Sequence, residues 1–209
     1  MTSWRGGARP PILVLVLGVA FLLVVAALLI GSFSKPELPP YRLSLPRPAG
    51  VGDSLIGPAT YTIDASATDR WRTFDFARNS MVEPSGGAVE GQWDIAFRRF
   101  HLIAGRGAGI LDLGPVPFDA VRELPAAGYR GNTVTGEDTT NPGVGKWYEY
   151  GMLTHLLTSK HHVYGVRTAS GHYAKLELLA YYCADAGTAC ITFRYAYQGG
   201  TDRGRRVVR

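Results

Sequence analysis

The chain has 209 residues, which is enough for one ordinary domain and an appendage. Its 22 basic and 17 acidic side chains leave a net charge of only +5. Because this small excess is dispersed along the chain, it does not indicate nucleic-acid binding. Eleven Tyr, eight Phe and 26 Gly favour strands and turns, and the ample apolar content excludes a disordered chain.

An apolar segment near the N-terminus is the first predicted element. The run from Ile12 to Ile30 contains no charged residue and no proline. About 20 helical residues cross the roughly 30 Å hydrocarbon core of a bilayer. The alternative is a secretory signal peptide, but its apolar region usually covers only about 7–15 residues, and no A-x-A cleavage pattern follows here. We therefore predict a retained transmembrane helix over residues 12–33, preceded by a cytoplasmic N-terminus over residues 1–11.

The orientation of this helix rests on basic residues and on the cysteines. Arg5 and Arg9 precede the helix, which weakly favours an N-terminus inside the cell. Cys183 and Cys190 bracket a turn between two strand-like runs, where a disulfide could form. Disulfides persist outside the cytoplasm, although two unrelated thiols remain the alternative. We expect a single-pass protein of the bacterial inner membrane with its C-terminal domain in the periplasm.

A proline-rich segment follows the predicted helix. Residues 34–58 contain six prolines and show almost no hydrophobic periodicity. Proline fixes φ and removes a hydrogen-bond donor, so this segment is predicted to be an extended tether outside any sheet. The extracytoplasmic domain is predicted to cover residues 59–209.

The predicted domain is mainly β, with an antiparallel sheet. Aromatic or β-branched residues alternate with polar ones over 61–64, 71–76 and 93–98. Residues 114–146 are rich in Gly and Pro, with one possible helical turn near 118–124.

The last third of the chain carries the clearest strand pattern. Strands over 163–168, 173–183 and 190–197 are joined by short turns, which predicts an antiparallel meander. Within the middle strand, alternation places Leu176 and Leu178 on one face and Lys175 and Tyr181 on the other. Lys175 is expected to form a surface pair with Glu177 or Arg167.

Several separated motifs resemble the HmuY family. They are Trp93-Asp94-Ile95-Ala96-Phe97-Arg98-Arg99, Trp147-Tyr148-x-Tyr150, Tyr164-x-Val166-Arg167-Thr168-x-x-Gly171-x-Tyr173-x-Lys175-Leu176, Tyr181-Tyr182 and Thr192-Phe193-x-Tyr195-x-Tyr197-Gln198. The resemblance spans roughly residues 70–198. It implies a mostly antiparallel, extracytoplasmic β domain, and some members of the family bind haem between two side-chain ligands.

The histidines of this chain are the candidate haem ligands under that resemblance. Residues 102–154 contain no histidine, and Met152 is their only soft ligand. Ligands would therefore come from His155, His161 and His162, or from the remaining two, His101 and His172. In a strand, neighbouring side chains point to opposite faces, so His161 and His162 are not expected to share a metal.

No pattern indicates an enzyme or a metal centre. No serine lies in a nucleophile elbow, and no pair of carboxylates has a histidine to orient it. The Gly105–Gly109 run lacks the Gly-Lys-Ser/Thr sequence of a phosphate loop. The spacing of Cys183 and Cys190 differs from that of zinc ligands, which favours a disulfide. We predict no catalytic residue, no metal ligand and no firmly assigned cofactor.

The favoured function is therefore a non-enzymatic accessory subunit of a membrane complex, with respiratory and photosynthetic electron-transfer assemblies as the candidate hosts. Its partners would be other membrane subunits and lipid. Small helix residues at Gly18, Ala20, Ala26 and Ala27 would permit close helix packing. The basic C-terminal residues Arg203, Arg205, Arg206 and Arg209 would contact an acidic subunit or lipid headgroups. The alternative is a membrane-tethered haem-binding protein of the HmuY type.

Overall fold

The computed structural model describes residues 11–33, 55–83, 93–185, 187–199 and 205–207. The predicted tether up to residue 54, together with Arg203 and Arg209, lies outside these ranges. The described chain forms two compact units. One contains the N-terminal helix and the loop Tyr150–Leu156, and the other contains the remaining described residues.

Helix α1 runs from Ile12 to Phe33, with the bounds that the sequence predicts. None of its residues is buried, and apolar side chains surround its axis. Its length and apolar character suffice to cross a membrane, a criterion that a signal sequence near the N-terminus also meets. A helix that is apolar on every side needs an apolar surrounding, which either lipid or neighbouring helices provide.

Thirteen strands and one short 3₁₀ helix make up the rest of the described chain. They are β1 (Leu55–Asp64), β2 (Arg72–Asp75), β3 (Ser80–Val82), β4 (Ile95–Arg98), β5 (His101–Ala104), β6 (Gly109–Asp112), the 3₁₀ helix (Phe118–Ala120), β7 (Thr133–Thr135), β8 (Asp138–Thr140), β9 (Tyr148–Tyr150), β10 (Leu157–Ser159), β11 (Val163–Arg167), β12 (Tyr173–Tyr182) and β13 (Thr188–Gln198). A five-stranded sheet has the order β1-β13-β12-β11-β6, and a four-stranded sheet has the order β3-β2-β4-β5. Two further pairs, β7-β8 and β9-β10, complete the topology.

The C-terminal strands form the predicted antiparallel meander. Strand β12 pairs with β11 on one side and with β13 on the other, so that Leu176 lies between Tyr164 and Tyr195. At the β12–β13 turn, Cys183 and Cys190 form a disulfide with a Cα–Cα separation of 4.8 Å. The mainly β, antiparallel fold that the sequence predicts is confirmed.

The main core lies between the two larger sheets and is largely aromatic. Phe74 of β2 packs edge-on against Phe193 of β13, with ring centroids 5.2 Å apart, and Phe97 of β4 stacks on the same ring at 5.4 Å. These rings are almost completely buried. Alternation along β13 directs every second side chain into this core, which explains the Thr-Phe-x-Tyr-x-Tyr motif of that strand.

The buried carboxyl of Asp94, just before β4, connects this strand of the four-stranded sheet to the segment that follows β2. Its Oδ2 accepts a hydrogen bond of 2.9 Å from the backbone N–H of Phe76, and its side chain lies in the protein interior. Burial raises the pKa of Asp94 to about 7, and the neighbouring carboxylate of Asp75 adds to the increase. The Trp-Asp motif therefore includes a buried acceptor that satisfies a backbone donor.

The tether is predicted to extend to residue 58, but residues 55–58 belong to strand β1. The structure begins β1 at Leu55, and this strand pairs with β13 from Leu55↔Gln198 to Asp64↔Cys190. Its register shifts between Ile56 and Ala59, and Pro58 lies within this irregularity. Proline is tolerated at a bulge because the ladder there does not require its missing N–H.

Strand β12 differs from the simple alternation that the sequence predicts. Its register with β13 shifts between Leu178 and Ala180, and an extra residue at such a bulge reverses the alternation of side chains. As a result, Tyr181 joins the same core cluster as Leu176 and Leu178, although it was predicted on the opposite face.

The predicted surface pairing of Lys175 is also wrong. The 3₁₀ helix and its flanks cover this face of the sheet, and the Lys175 side chain is buried beneath them. Its Nζ donates hydrogen bonds of 2.9 Å to the carbonyls of Phe118 and Val121 and lies 4.3 Å from the centre of the Phe118 ring. Burial lowers the pKa of Lys175 to about 8. The lysine thus satisfies carbonyls at the end of the 3₁₀ helix.

Candidate functional site

A cleft of about 320 Å³ lies beside strand β5 in the β unit. This volume is at the lower end of the range for small-ligand pockets. Its lining combines aromatic, polar and basic side chains, namely Phe100, His101, Leu102, Thr140, Asn141, Pro142, Gly145, Lys146 and Tyr148. The strand places His101 here, and the β7–β8 hairpin with the loop after it supplies the opposite wall.

His101 is the titratable side chain with metal-binding chemistry in this cleft. It begins β5 and pairs in register with Arg98, and its ring lies 4.4 Å from that of Phe100. Burial, assisted by the positive charge of Arg98, lowers the pKa of His101 below its ordinary value. Neutral imidazole is therefore favoured at pH 7, and a neutral imidazole nitrogen can coordinate a metal.

The aromatic wall of the cleft is fixed by the protein core. Trp147 is buried, and its indole N–H donates a hydrogen bond of 2.8 Å to the carbonyl of Phe100. Tyr148 then packs edge-on against the Phe100 ring at 5.5 Å. Burial raises the pKa of the Tyr148 phenol, so this group stays protonated at neutral pH. The Trp-Tyr motif thus positions one wall of the cleft.

Asn141 fixes the opposite wall. Its amide nitrogen donates to the carbonyl of Arg130 at 3.0 Å, and its Oδ1 accepts from the N–H of Gly143 at 2.8 Å. Gly143 has no room for a side chain, because a Cβ there would come within 2.0 Å of the carbonyl oxygen of Ile110. The loop between β8 and β9 is therefore closely held, which suits a preformed pocket.

The three histidines predicted as alternative haem ligands do not line this cleft. His161 Nδ1 lies 3.1 Å from a carboxylate oxygen of Glu177 on β12, whereas His162 Nδ1 lies 2.9 Å from one of Asp112 on β6. His161 and His162 precede β11 and are not part of it, so strand alternation does not apply to them, but their rings still lie beside different carboxylates, one on β12 and one on β6. His155 belongs to the loop of the other unit.

Metal-binding side chains are not clustered in the part of the chain that the structure describes. Within that part, no group of three or more His, Cys, Asp or Glu residues could hold a metal ion. The fifth histidine, His172, has its Nδ1 3.0 Å from the hydroxyl of Ser170 and 3.2 Å from that of Tyr197. It therefore lies in the turn between β11 and β12, away from the cleft lining.

Of the predicted interface residues that the structure describes, those on α1 are exposed, whereas the C-terminal segment contacts other residues of the chain. On α1, the small residues Gly18, Ala20, Ala26 and Ala27 are exposed. The C-terminal segment instead packs on its own domain. Arg205 lies 2.6 Å from Glu123, and Val207 is buried with its N–H bonded to the carbonyl of Arg122. At least Arg205 is therefore engaged within the chain rather than extended into solvent.

Sequence patterns did not single out the His101 cleft. The pattern Phe100-His101 follows the Trp-Asp motif directly, and an aromatic-histidine pair at a strand start was the available signal. Residues 140–148, which complete the cleft, are distant in sequence and lack periodicity, so their position depends on tertiary packing.

Solved structures share this architecture. The apo HmuY analog from Tannerella forsythia aligns with a TM-score of 0.56 and 18% identity, covering 68% of this chain and 95% of that chain. A Bacteroides vulgatus protein described as HmuY-like and heme-binding aligns with a TM-score of 0.56 and 21% identity, covering 70% and 93%. A Bacteroides fragilis protein described as a lipoprotein gives 0.55 and 18%, covering 68% and 89%. At these identities, the likeness establishes the fold. No curated protein matches the chain at a significant level.

The packed antiparallel sheets and these neighbours define the molecule as an HmuY-like β-sheet protein with an N-terminal apolar helix. The HmuY family itself matches residues 67–195, which is more than half of the chain. This protein belongs to the HmuY family, so the resemblance carried by its sequence motifs is confirmed.

Proposed function

We propose that this protein is a membrane-tethered, non-enzymatic binding protein that holds haem, or a similar flat iron macrocycle, in the His101 cleft. The observation that carries the proposal is the His101 imidazole in a cleft with an aromatic wall, within a domain of the HmuY family. One solved structure of this fold is described as heme-binding, which supports the same ligand class.

The side chains of the cleft are of the kinds that could hold a haem. His101 would supply an axial ligand, and the ring of Phe100 would pack on the macrocycle. The ammonium of Lys146 is suited to a propionate. The remaining lining residues include no second imidazole, thiolate or thioether. His101 would therefore be the one imidazole available to the iron, and the two fixed walls would orient and shield the bound group.

Helix α1 is proposed as the tether, with the β unit outside the cytoplasm of a bacterial cell. The helix has sufficient length to cross a bilayer, and its apolar surface is exposed. The Cys183–Cys190 disulfide supports an oxidising compartment such as the periplasm.

Replacing His101 by alanine is expected to abolish the haem Soret shift of the purified full-length protein. Absorbance titration with haemin in mild detergent measures this loss, and thermal unfolding followed by circular dichroism establishes that the variant is folded. His162→Ala is the matched control and should retain the titration. Haem binding by folded His101→Ala, or no binding by the unaltered protein, would contradict the proposed ligand site.

An accessory subunit of a membrane complex is the second candidate function. The observation that favours it is the apolar surface of α1, which is exposed along most of the helix and includes small residues at Gly18 and Ala20. Close approach of another helix at such residues is a common mode of packing within membranes. Respiratory and photosynthetic electron-transfer assemblies are the candidate hosts.

Purification from native membranes in mild detergent tests the accessory function. Stoichiometric co-purification with other membrane subunits is expected, and Gly18→Leu should release the chain because a larger side chain prevents close helix approach. Val24→Leu, at an already large residue, is the matched control. Migration of the unaltered chain alone would contradict this function.

A further inference from the structure

The loop Tyr150–Leu156 lies against the C-terminal end of α1 and forms one compact unit with it. The contact is close at Gly31, where an added Cβ would come within 2.0 Å of the carbonyl oxygen of Leu153. A residue without a side chain is therefore needed at this helix position. The contact brings the backbone of the loop directly to the last turns of an apolar helix.

Backbone hydrogen bonds close this loop on itself. The N–H of Gly151 donates to the carbonyl of Leu156 at 2.8 Å, and the N–H of His155 donates to the carbonyl of Gly151 at 2.7 Å. His155 has a φ of 56°, which completes the tight reversal of the chain. The closed loop leaves Met152 and Leu153 at its tip.

The loop tip is apolar and uncharged. The side chains of Met152 and Leu153 are 73% and 62% exposed, although both are large and hydrophobic. The sequence from Tyr150 to Leu156 contains no Asp, Glu, Lys or Arg, and its one titratable ring nitrogen pair belongs to His155 at the base of the loop. At the base of the loop, the Tyr150 hydroxyl hydrogen-bonds with Nδ1 of His155, so the polar groups lie behind an apolar tip.

We propose that this loop is a second membrane contact, in which Met152 and Leu153 enter the lipid at the bilayer surface. The proposal rests on the membrane-tether part of the proposed function, since a spanning α1 brings its end, and therefore Gly31, to the lipid headgroup region. Because the loop packs against the end of this helix, lipid is the surrounding that its apolar tip would meet. Tyr150 has the amphipathic ring that is typical of membrane–water interfaces.

Single introduced cysteines allow a direct test on the full chain. The protein has two cysteines, which are both in the disulfide, so a new thiol is labelled uniquely. The variants Met152→Cys and Leu153→Cys are labelled with the fluorophore NBD and reconstituted in phosphatidylcholine vesicles containing phosphatidylglycerol. Val134→Cys is the matched control because Val134 is a similarly exposed apolar residue, at 69%, on the β7–β8 hairpin. Leu22→Cys reports the depth of α1.

The expected result is a blue-shifted NBD emission at positions 152, 153 and 22, with quenching by lipid-borne nitroxides several times that of the control. Water-like emission at 152 and 153, with a lipid-quenched label at 22, would overturn the loop contact and leave the tether in place. A blue shift without lipid quenching would indicate a protein contact and also overturn it. Water-like emission at position 22 would overturn the tether, and the loop contact with it.

Discussion

Replacement of Phe74 by alanine is expected to lower the free energy of unfolding by about 3–5 kcal/mol. Phe74 is fully buried, and its ring packs on four others, with centroid distances of 5.0 Å to Tyr61, 5.6 Å to Phe76, 5.2 Å to Phe193 and 5.6 Å to Tyr195. The truncation removes apolar burial and edge-to-face contacts, and it leaves a cavity between two sheets that cannot easily collapse.

Urea unfolding of the full-length protein in nonionic detergent, followed by tryptophan fluorescence, measures this loss. Phe74→Leu should cost less, because it keeps most of the apolar volume. Val134→Ala is the surface control, and its effect should stay within about 0.5 kcal/mol. A Phe74→Ala variant as stable as this control would show that the aromatic cluster does not hold the two sheets together.

The second large effect is a pH dependence of stability due to Asp94. Burial raises the pKa of this carboxyl from 3.8 to about 7 in the folded protein. The folded state therefore binds the proton more tightly than the unfolded state does. The resulting stabilisation is fully present below about pH 4 and is lost as the pH rises to about 7. A shift of this size corresponds to at most about 4 kcal/mol.

Asp94→Asn is expected to abolish this dependence, because an amide does not titrate. Its oxygen can still accept the N–H of Phe76, so the variant should match or exceed the unaltered protein in stability at pH 8. Unfolding curves collected between pH 4 and pH 8 measure the difference in slope. Asp138→Asn, at an exposed carboxyl, is the control and should keep the original slope. Equal slopes for Asp94→Asn and the unaltered protein would contradict the assignment.

The parts of the fold that the sequence predicts correctly are those that depend on local patterns. The bounds of α1 follow from an unbroken apolar run, and the β11–β12–β13 meander follows from alternation between short turns. Such elements pair with their neighbours in sequence, so their pattern contains most of the needed information. The family motifs likewise mark residues of this aromatic core.

The rest depends on contacts between residues distant in sequence. The burial of Lys175 requires the 3₁₀ helix that begins at Phe118, and nothing near Lys175 in the sequence indicates this cover. The bulge in β12 that turns Tyr181 into the core is a register shift, which simple alternation does not contain. The cleft similarly combines His101 with a loop some 40 residues later.

The position of β1 has a mechanical consequence for a membrane-anchored chain. This strand is an edge of the five-stranded sheet, and Leu55, its residue nearest α1 in the sequence, pairs with Gln198 near the end of β13. A tensile load arriving from the membrane would first reach that pair. If the C-terminal residues after β13 are held in place, the hydrogen bonds between β1 and β13 break one after another, starting at Leu55. If the hold acts on β13 near Cys190, which pairs with Asp64, the same bonds are loaded together in shear and resist a greater force.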